Sequence, residues 1–287
     1  MRIAIASGKG GTGKTTIATN LAWVAARNGR SVAYLDCDVE EPNGHLFLKP
    51  EIVSSRPIGR LHPAVDEEKC AHCGLCGEIC QYSGIVCVGE KVLVHPELCH
   101  ACGGCVLVCA PGAITEVVRE SGKLEVGQAG PVRFIHGLLR IGEAMSTHLI
   151  HQVKQAALAT DLAIIDSPPG TSCPVIESVR GADYVLLVTE PTPFGLNDLK
   201  MAVKMVWTMK LPVGVVINRA GSGGGQIAEY CRMQGIEVLA TIPDDRRVAE
   251  AYSRGVLASE TMPEIRTWME ELLARLCGAT TLSEVCS

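Results

Sequence analysis

The chain is short of three things. Aromatic residues make up only 4% of its 287 positions, so its core has to rest on Val, Ile, Leu and Ala, the composition of buried parallel strands. Basic charge is not in excess: 26 Lys and Arg stand against 31 Asp and Glu, a formal net charge of −5. A nucleic-acid-binding surface normally shows as a basic stripe, so no nucleic acid is expected as a partner. Nor does any apolar run reach the roughly 20 residues of a bilayer-spanning helix, and no stable membrane insertion is expected. Disorder is excluded too, because 47% hydrophobic and 20% charged residues is an ordinary globular balance.

Cysteine, in contrast, is plentiful, at 14 residues. The chain opens Met1-Arg2-Ile3-Ala4-Ile5-Ala6 and runs straight into a glycine-rich loop, leaving no room for a secretory signal. The expected location is cytoplasmic, where clustered cysteines more often bind metal than pair.

Short apolar runs alternate with helical patterns. Residues 3–6, 32–35, 162–165, 184–188, 213–217 and 238–242 read as strands. Helical periodicity covers 15–28, closed by Gly29, then 197–210, 225–234, 247–254 and 264–276. The alternation predicts an α/β fold with a doubly wound, mostly parallel sheet. The rhythm breaks between residues 57 and 121, a stretch with close-set cysteines, several glycines and no long helical pattern. One domain formed by 1–62 and 120–287, interrupted by a small α+β insert at 63–119, accounts for this.

The insert contains a repeat. Cys70, Cys73, Cys76 and Cys80 recur 29 residues later as Cys99, Cys102, Cys105 and Cys109. Each half reads C-x2-C-x2-C-x3-C. Zinc also takes four cysteines, but typically as two C-x2-C pairs a dozen or more residues apart; a third cysteine in each loop favours iron–sulfur. The halves resemble bacterial-type 2[4Fe–4S] ferredoxins, in which the fourth cysteine of one run ligates the other cluster. That resemblance assigns Cys70, Cys73, Cys76 and Cys109 to one [4Fe–4S] cluster and Cys80, Cys99, Cys102 and Cys105 to a second. Gly74, Gly77, Gly103 and Gly104 would let backbone amides close around sulfide. The proline that usually follows the fourth cysteine is absent: Gln81 follows Cys80, and Ala110-Pro111 follows Cys109. His72 and His100 read as solvent-facing spacers.

Near the start, Gly8-Lys9-Gly10-Gly11-Thr12-Gly13-Lys14-Thr15 fits the P-loop pattern G-x4-G-K-[ST] between a strand and a helix. Its backbone N–H groups would cradle phosphate, Lys14 would reach the β/γ-phosphates, and the Thr15 hydroxyl would ligate Mg2+. Thr16 is counted with the nucleotide-binding residues. Lys9 makes the motif more specific. K-G-G-T-G-K-T resembles the deviant Walker A motif of the MinD/ParA, Mrp and nitrogenase-iron-protein superfamily, and with its insert the chain is similar to members carrying an inserted ferredoxin domain. The resemblance implies ATP and Mg2+ as cofactors and a slow, partner-stimulated ATPase. It implies a homodimer when ATP is bound, with Lys9 reaching the phosphates of the partner subunit. Asp36 would then lie near the magnesium, Asp38 would position the attacking water, and Asp166 would be the Walker B carboxylate. Asn218 would read adenine, with Pro243 and Asp245 closing the base pocket.

The resemblance also compares Cys173 with a cluster-bridging cysteine of the nitrogenase iron protein; the blander reading, a small residue packed under the second switch, is preferred. Cys37, Cys87, Cys231, Cys277 and Cys286 read as core or surface residues. Three functions follow. The first is ATP-governed electron transfer through two clusters to an unknown redox partner. The second is cluster carriage to an apo iron–sulfur acceptor, as in the Mrp type, although the C-terminal C-x-x-C of that branch is absent. A MinD-like positioning role is disfavoured, because the polar face of the helix at 264–276 is substantially acidic.

Overall fold

The structure is a computed structural model describing residues 1–157, 160–221 and 225–283; Cys286 lies outside them. Among the described residues one nine-stranded sheet carries the fold. Its central strands are β1 (Arg2–Ala6), β2 (Val32–Asp36), β8 (Leu162–Asp166) and β9 (Tyr184–Thr189), each a short apolar run almost wholly buried. One side is completed by β10 (Val213–Ala220) and β11 (Glu237–Pro243), the other by β7 (Val132–Leu139), β6 (Ile114–Ala129) and β3 (Glu51–Val65). The order is β11-β10-β9-β1-β8-β2-β7-β6-β3, parallel up to β7 and antiparallel beyond it.

Alternation along the strands sends side chains to two cores. Ile3, Ile5, Tyr34, Phe134 and Ile164 face one layer, formed by α1 (Lys14–Arg27), α2 (Gly44–Leu48), α10 (Ala258–Thr261) and α11 (Pro263–Ser283). Ala4, Ala6, Leu35, Ile135 and Ile165 face the other, formed by α5 (Thr147–Gln155), α6 (Cys173–Val179), α7 (Pro193–Thr208) and α8 (Gly225–Gln234). The amphipathic α9 (Arg246–Ser253) has no buried residue. Helix α1 stops at Gly29 as the sequence predicts: φ there is +81°, and the Gly29 and Arg30 amides donate to the Ala26 and Ala25 carbonyls.

The segment between residues 57 and 121 is entered and left through a pair of long strands. Strands β3 and β6 pair from Glu51 opposite Gln128 to Val65 opposite Ile114, with register shifts between Ile52 and Ser54 and between Ile58 and Gly59. Positions 62 and 119, taken from the sequence as edges of the insert, are therefore inside these strands. The cysteine-rich segment grows from the far end of this hairpin. It holds α3 (Leu75–Ile79), α4 (Gly104–Leu107) and a small antiparallel pair, β4 (Ile85–Val88) with β5 (Lys91–Val94). Its core is small, built on Ile85, Ile114 and Cys76.

A buried ion pair fastens the segment to the sheet. Arg60 of β3 meets Glu143, in the loop after β7, at 2.8 Å, with side chains 7% and 1% exposed. The same guanidinium donates to the carbonyls of Cys99 and Pro96. Truncating Glu143 leaves that cation buried without its carboxylate. Glu143→Ala is expected to cost about 3–5 kcal/mol, read as a lower denaturation midpoint. Adding Arg60→Met should recover part of the loss; a double variant no better than the single one would contradict this account.

Candidate functional site

The loop between β1 and α1 is shaped by glycines in the left-handed region, Gly11 at φ +78° and Gly13 at +91°. Gly13 is also demanded by contact: a Cβ there would stand 2.4 Å from Nδ2 of Asn218, which donates to the Thr12 carbonyl at 2.8 Å. Asn218, expected from the sequence to read adenine, is thus tied to the glycine loop. Gly8 lies against the backbone of α7, where a Cβ would fall 2.3 Å from the Asp198 carbonyl oxygen. Gly10, Gly11, Gly13, Lys14, Thr15 and Thr16 open onto a cavity of about 390 Å3, within the range of small-molecule sites. Asp38, Asn218, Pro243 and Asp245 also line it. Asp245 caps α9 by accepting from the Arg247 amide. Tyr252 and Met269 add apolar wall. Sequence reading did not single them out, since nothing local marks an α9 or α11 side chain as a pocket residue.

Beneath the cavity lie two carboxylates. Asp36 and Asp166 end neighbouring strands in direct register and are 0% and 1% exposed. Asp36 accepts from the amides of Asp38 and Gly44, and Tyr34 donates its hydroxyl to Oδ2 of Asp166 at 2.9 Å. Burial pushes both carboxyls up and their mutual repulsion adds to the rise of Asp36, while Thr15 and Lys14 act against the rise of Asp166. Burial lowers the Lys14 ammonium, against the pull of Asp166 and Asp38. Among the described residues Oδ1 of Asp166 is buried without a hydrogen-bond partner. An unpartnered carboxylate oxygen beside a second carboxylate and a threonine hydroxyl suits a hard divalent cation.

Lys9 is not on the cavity wall. Its ammonium pairs within the same chain with Glu190 at 3.3 Å, and Arg219 holds the other oxygen of that carboxylate at 2.6 Å. Cys173 is exposed and opens α6.

The eight repeated cysteines stand around two further cavities. One is lined by Cys70, Cys73, Cys76 and Cys109, the other by Cys80, Cys99, Cys102 and Cys105. Backbone amides are aimed at several sulfurs: Ala101 at Cys99 and Ala113 at Cys109, each at 3.3 Å. Burial would raise Cys80, but amides of Tyr82, Ile85, Gly84 and Ser83 outweigh it and leave that thiol below its ordinary value. Cys76 goes the other way, pushed up to about 12 by burial and by Cys87 beside it. Among the described residues no three His, Cys, Asp or Glu side chains form a group able to hold a single metal ion.

The buried carboxylates imply a definite pH dependence. Burial first, and then Asp166, raise Asp38 to about 7, partly offset by Lys14. A folded-state value above the unfolded one means that the native state holds the extra proton, so stability is lost as pH rises through that window. Asp36 and Asp166 act in the same direction. His62, His136 and His148, all lowered by burial, act with the opposite sign in the same window, so the contribution of Asp38 is read by difference: the thermal midpoint of nucleotide-free wild type relative to Asp38→Asn should fall between about pH 5 and about pH 8. A difference that rises with pH would refute the assignment.

Residues 3–258 match the CobQ/CobB/MinD/ParA nucleotide binding domain. Two uncharacterized proteins of Methanocaldococcus jannaschii are 30% and 31% identical to the chain, covering 95% and 96% of it and 96% of each relative. An iron-sulfur cluster carrier protein of Pyrococcus horikoshii is 28% identical over 94% of this chain and 83% of its own. Among solved structures, the septum site-determining protein MinD of Pyrococcus horikoshii, complexed with Mg-ADP, superposes with a TM-score of 0.61 at 21% identity, covering 97% and 98% of the two chains. With the glycine loop, the strand-end carboxylates and this match in agreement, the chain belongs to the CobQ/CobB/MinD/ParA nucleotide-binding family.

Proposed function

We propose that the chain is an ATP-dependent iron–sulfur protein, a P-loop ATPase whose insert holds two [4Fe–4S] clusters. One observation carries the reading: the eight repeated thiols divide between two cavities in the crossed sets of a two-cluster ferredoxin. In the nucleotide site, Thr15 and, through water, Asp166 would hold Mg2+ beside Asp36, and the cation would neutralise developing phosphate charge. Lys14 binds the phosphates and Asp38 orients water. Asn218, Pro243 and Asp245 face the base. Lys9 exchanges Glu190 for the phosphates of a second copy when an ATP-bound homodimer forms.

Cluster delivery to an apo-acceptor is the leading output, supported by the name of relatives such as that from Pyrococcus horikoshii. This reverses the order suggested by the missing C-terminal C-x-x-C. Electron transfer is the second reading. The interleaved ligand sets favour it, because removing either cluster frees cysteines of both halves.

Anaerobic purification with iron and sulfide counts, and EPR with and without Mg-ATP, tests the proposal. About eight irons and reducible [4Fe–4S] signals are expected. Lys14→Ala should abolish Mg-ATP binding and leave the iron count intact. ATP-stimulated loss of a cluster to an apo-acceptor selects delivery, while clusters retained through turnover select electron transfer. Zinc in the insert would reject both.

A further inference from the structure

The two halves of the cysteine segment follow one pattern, and one of the differences between them places a thiol in one half where the other has a carboxylate. The 29-residue shift that lays Cys76 on Cys105 also lays Ile85 on Ile114 and Cys87 on Glu116. The fold keeps this correspondence. Ile85 opens β4 and Ile114 opens β6, and both are buried in the same small core. Cys87 and Glu116 are each two residues further along, on the same side of their strands as that isoleucine.

Their surroundings differ in kind. The Cys87 sulfur lies 3.5 Å from that of Cys76. The approach depends on Gly77, where a Cβ would stand 3.1 Å from the Cys87 amide nitrogen and 3.2 Å from its sulfur; the other half has Val106 at the matching position. In the second half Glu116 joins Cys80, Cys99, Cys102 and Cys105 in lining their cavity. Its Oε1 is 3.7 Å from where a Gly103 Cβ would be.

We infer that Cys87 and Glu116 set the potentials of the two clusters apart, Cys87 by donating its S–H to the Cys76 sulfur and Glu116 by placing a carboxylate beside the second thiol set. The inference rests on the reading that the insert holds two clusters. Reduction adds negative charge. A donor to a ligand sulfur stabilises that charge and raises the potential, whereas a nearby carboxylate opposes it and lowers the potential. The cluster on Cys70, Cys73, Cys76 and Cys109 is therefore the more readily reduced. Glu116 is solvent-exposed and screened, so its effect is the smaller. Neither residue is a ligand.

The test is an EPR-monitored dithionite titration of the full, cluster-loaded chain, with the two signals assigned through Cys73→Ser and Cys102→Ser. Cys87→Ala should lower the midpoint of the first cluster alone, and Cys87→Ser, which keeps a donor, should preserve it. Glu116→Gln should raise the midpoint of the second cluster alone. An unchanged first midpoint in Cys87→Ala overturns the inference, as do equal shifts of both clusters. Loss of about four irons in Cys87→Ala also overturns it, since that would make Cys87 a ligand. Wild-type protein without two clusters fails the underlying reading instead, before any variant is compared.

Discussion

Two carboxyl groups held together inside the protein organise the nucleotide end of the molecule. Asp36 and Asp166 end adjacent strands in register, which puts their backbones about 4.8 Å apart with no water around them. The chain meets this cost with donors. Tyr34 gives its hydroxyl to Asp166, and the segment after β2 folds back so that the amides of Asp38 and Gly44 reach Asp36. The fold-back sets the path of residues 38–44 and brings Asp38 to the cavity wall. It also explains Gly44, where a Cβ would fall 2.4 Å from the Tyr34 hydroxyl oxygen. Among the described residues one buried oxygen of Asp166 is left without a hydrogen-bond partner, an acceptor suited to a hard cation.

The parts legible in the sequence are those whose signal is local. The P-loop glycines, the strand-end aspartates and the cysteine spacing are each written within a few residues, and the central strands are continuous apolar runs. Three strands carried no such signal. β3 includes Arg56-Pro57-Ile58-Gly59-Arg60, and its first seven residues are all exposed. It is a strand because β6 pairs with it, and that partner is a long way off in the chain. In β7 the apolar run is interrupted by Arg133, His136 and Gly137. Glycine is needed at 137 because a Cβ would lie 2.7 Å from Val39 and 2.8 Å from Leu149. Convergence of side chains was equally illegible: Glu190 between Lys9 and Arg219, and Tyr252 on the same cavity as Asn218, exist only once the sheet order is set.

The cysteine segment shows how little apolar core a thiol-rich unit can have. Ile85, Ile114 and Cys76 are its buried members, whereas Leu75, Ile79, Leu98 and Leu107 remain exposed. A core of that size supplies little of the free energy needed to order the segment. Its attachments fix where it sits. Besides the Arg60–Glu143 pair, Arg119 of β6 meets Glu97 at 2.7 Å and approaches Glu143 at 3.9 Å. Two arginines paired directly across the strands thus share one buried carboxylate and both hold the turn before Cys99.

That carboxylate also ties the segment to the nucleotide site. The Leu139 amide at the end of β7 donates to the carbonyl of Val39, next to Asp38. From Leu139 the chain runs directly to Arg140, whose amide is held by the Ser121 carbonyl, and on to Glu143, whose amide is held by the Arg140 carbonyl. Glu143 then meets Arg60, and Arg60 meets the Cys99 carbonyl. A displacement of residues 38–39 therefore has two outcomes: the Leu139 amide gives up its partner, or the loop bearing Glu143 follows. In the second case the arginines must move with a carboxylate that is 1% exposed, because leaving it unpaired costs several kcal/mol. The end of this chain of contacts is the half-buried turn that carries Cys99. Among the described residues Cys70, Cys73 and Cys76 have no such arginine link in this network, so a movement of residues 38–39 would reach the two thiol sets unequally.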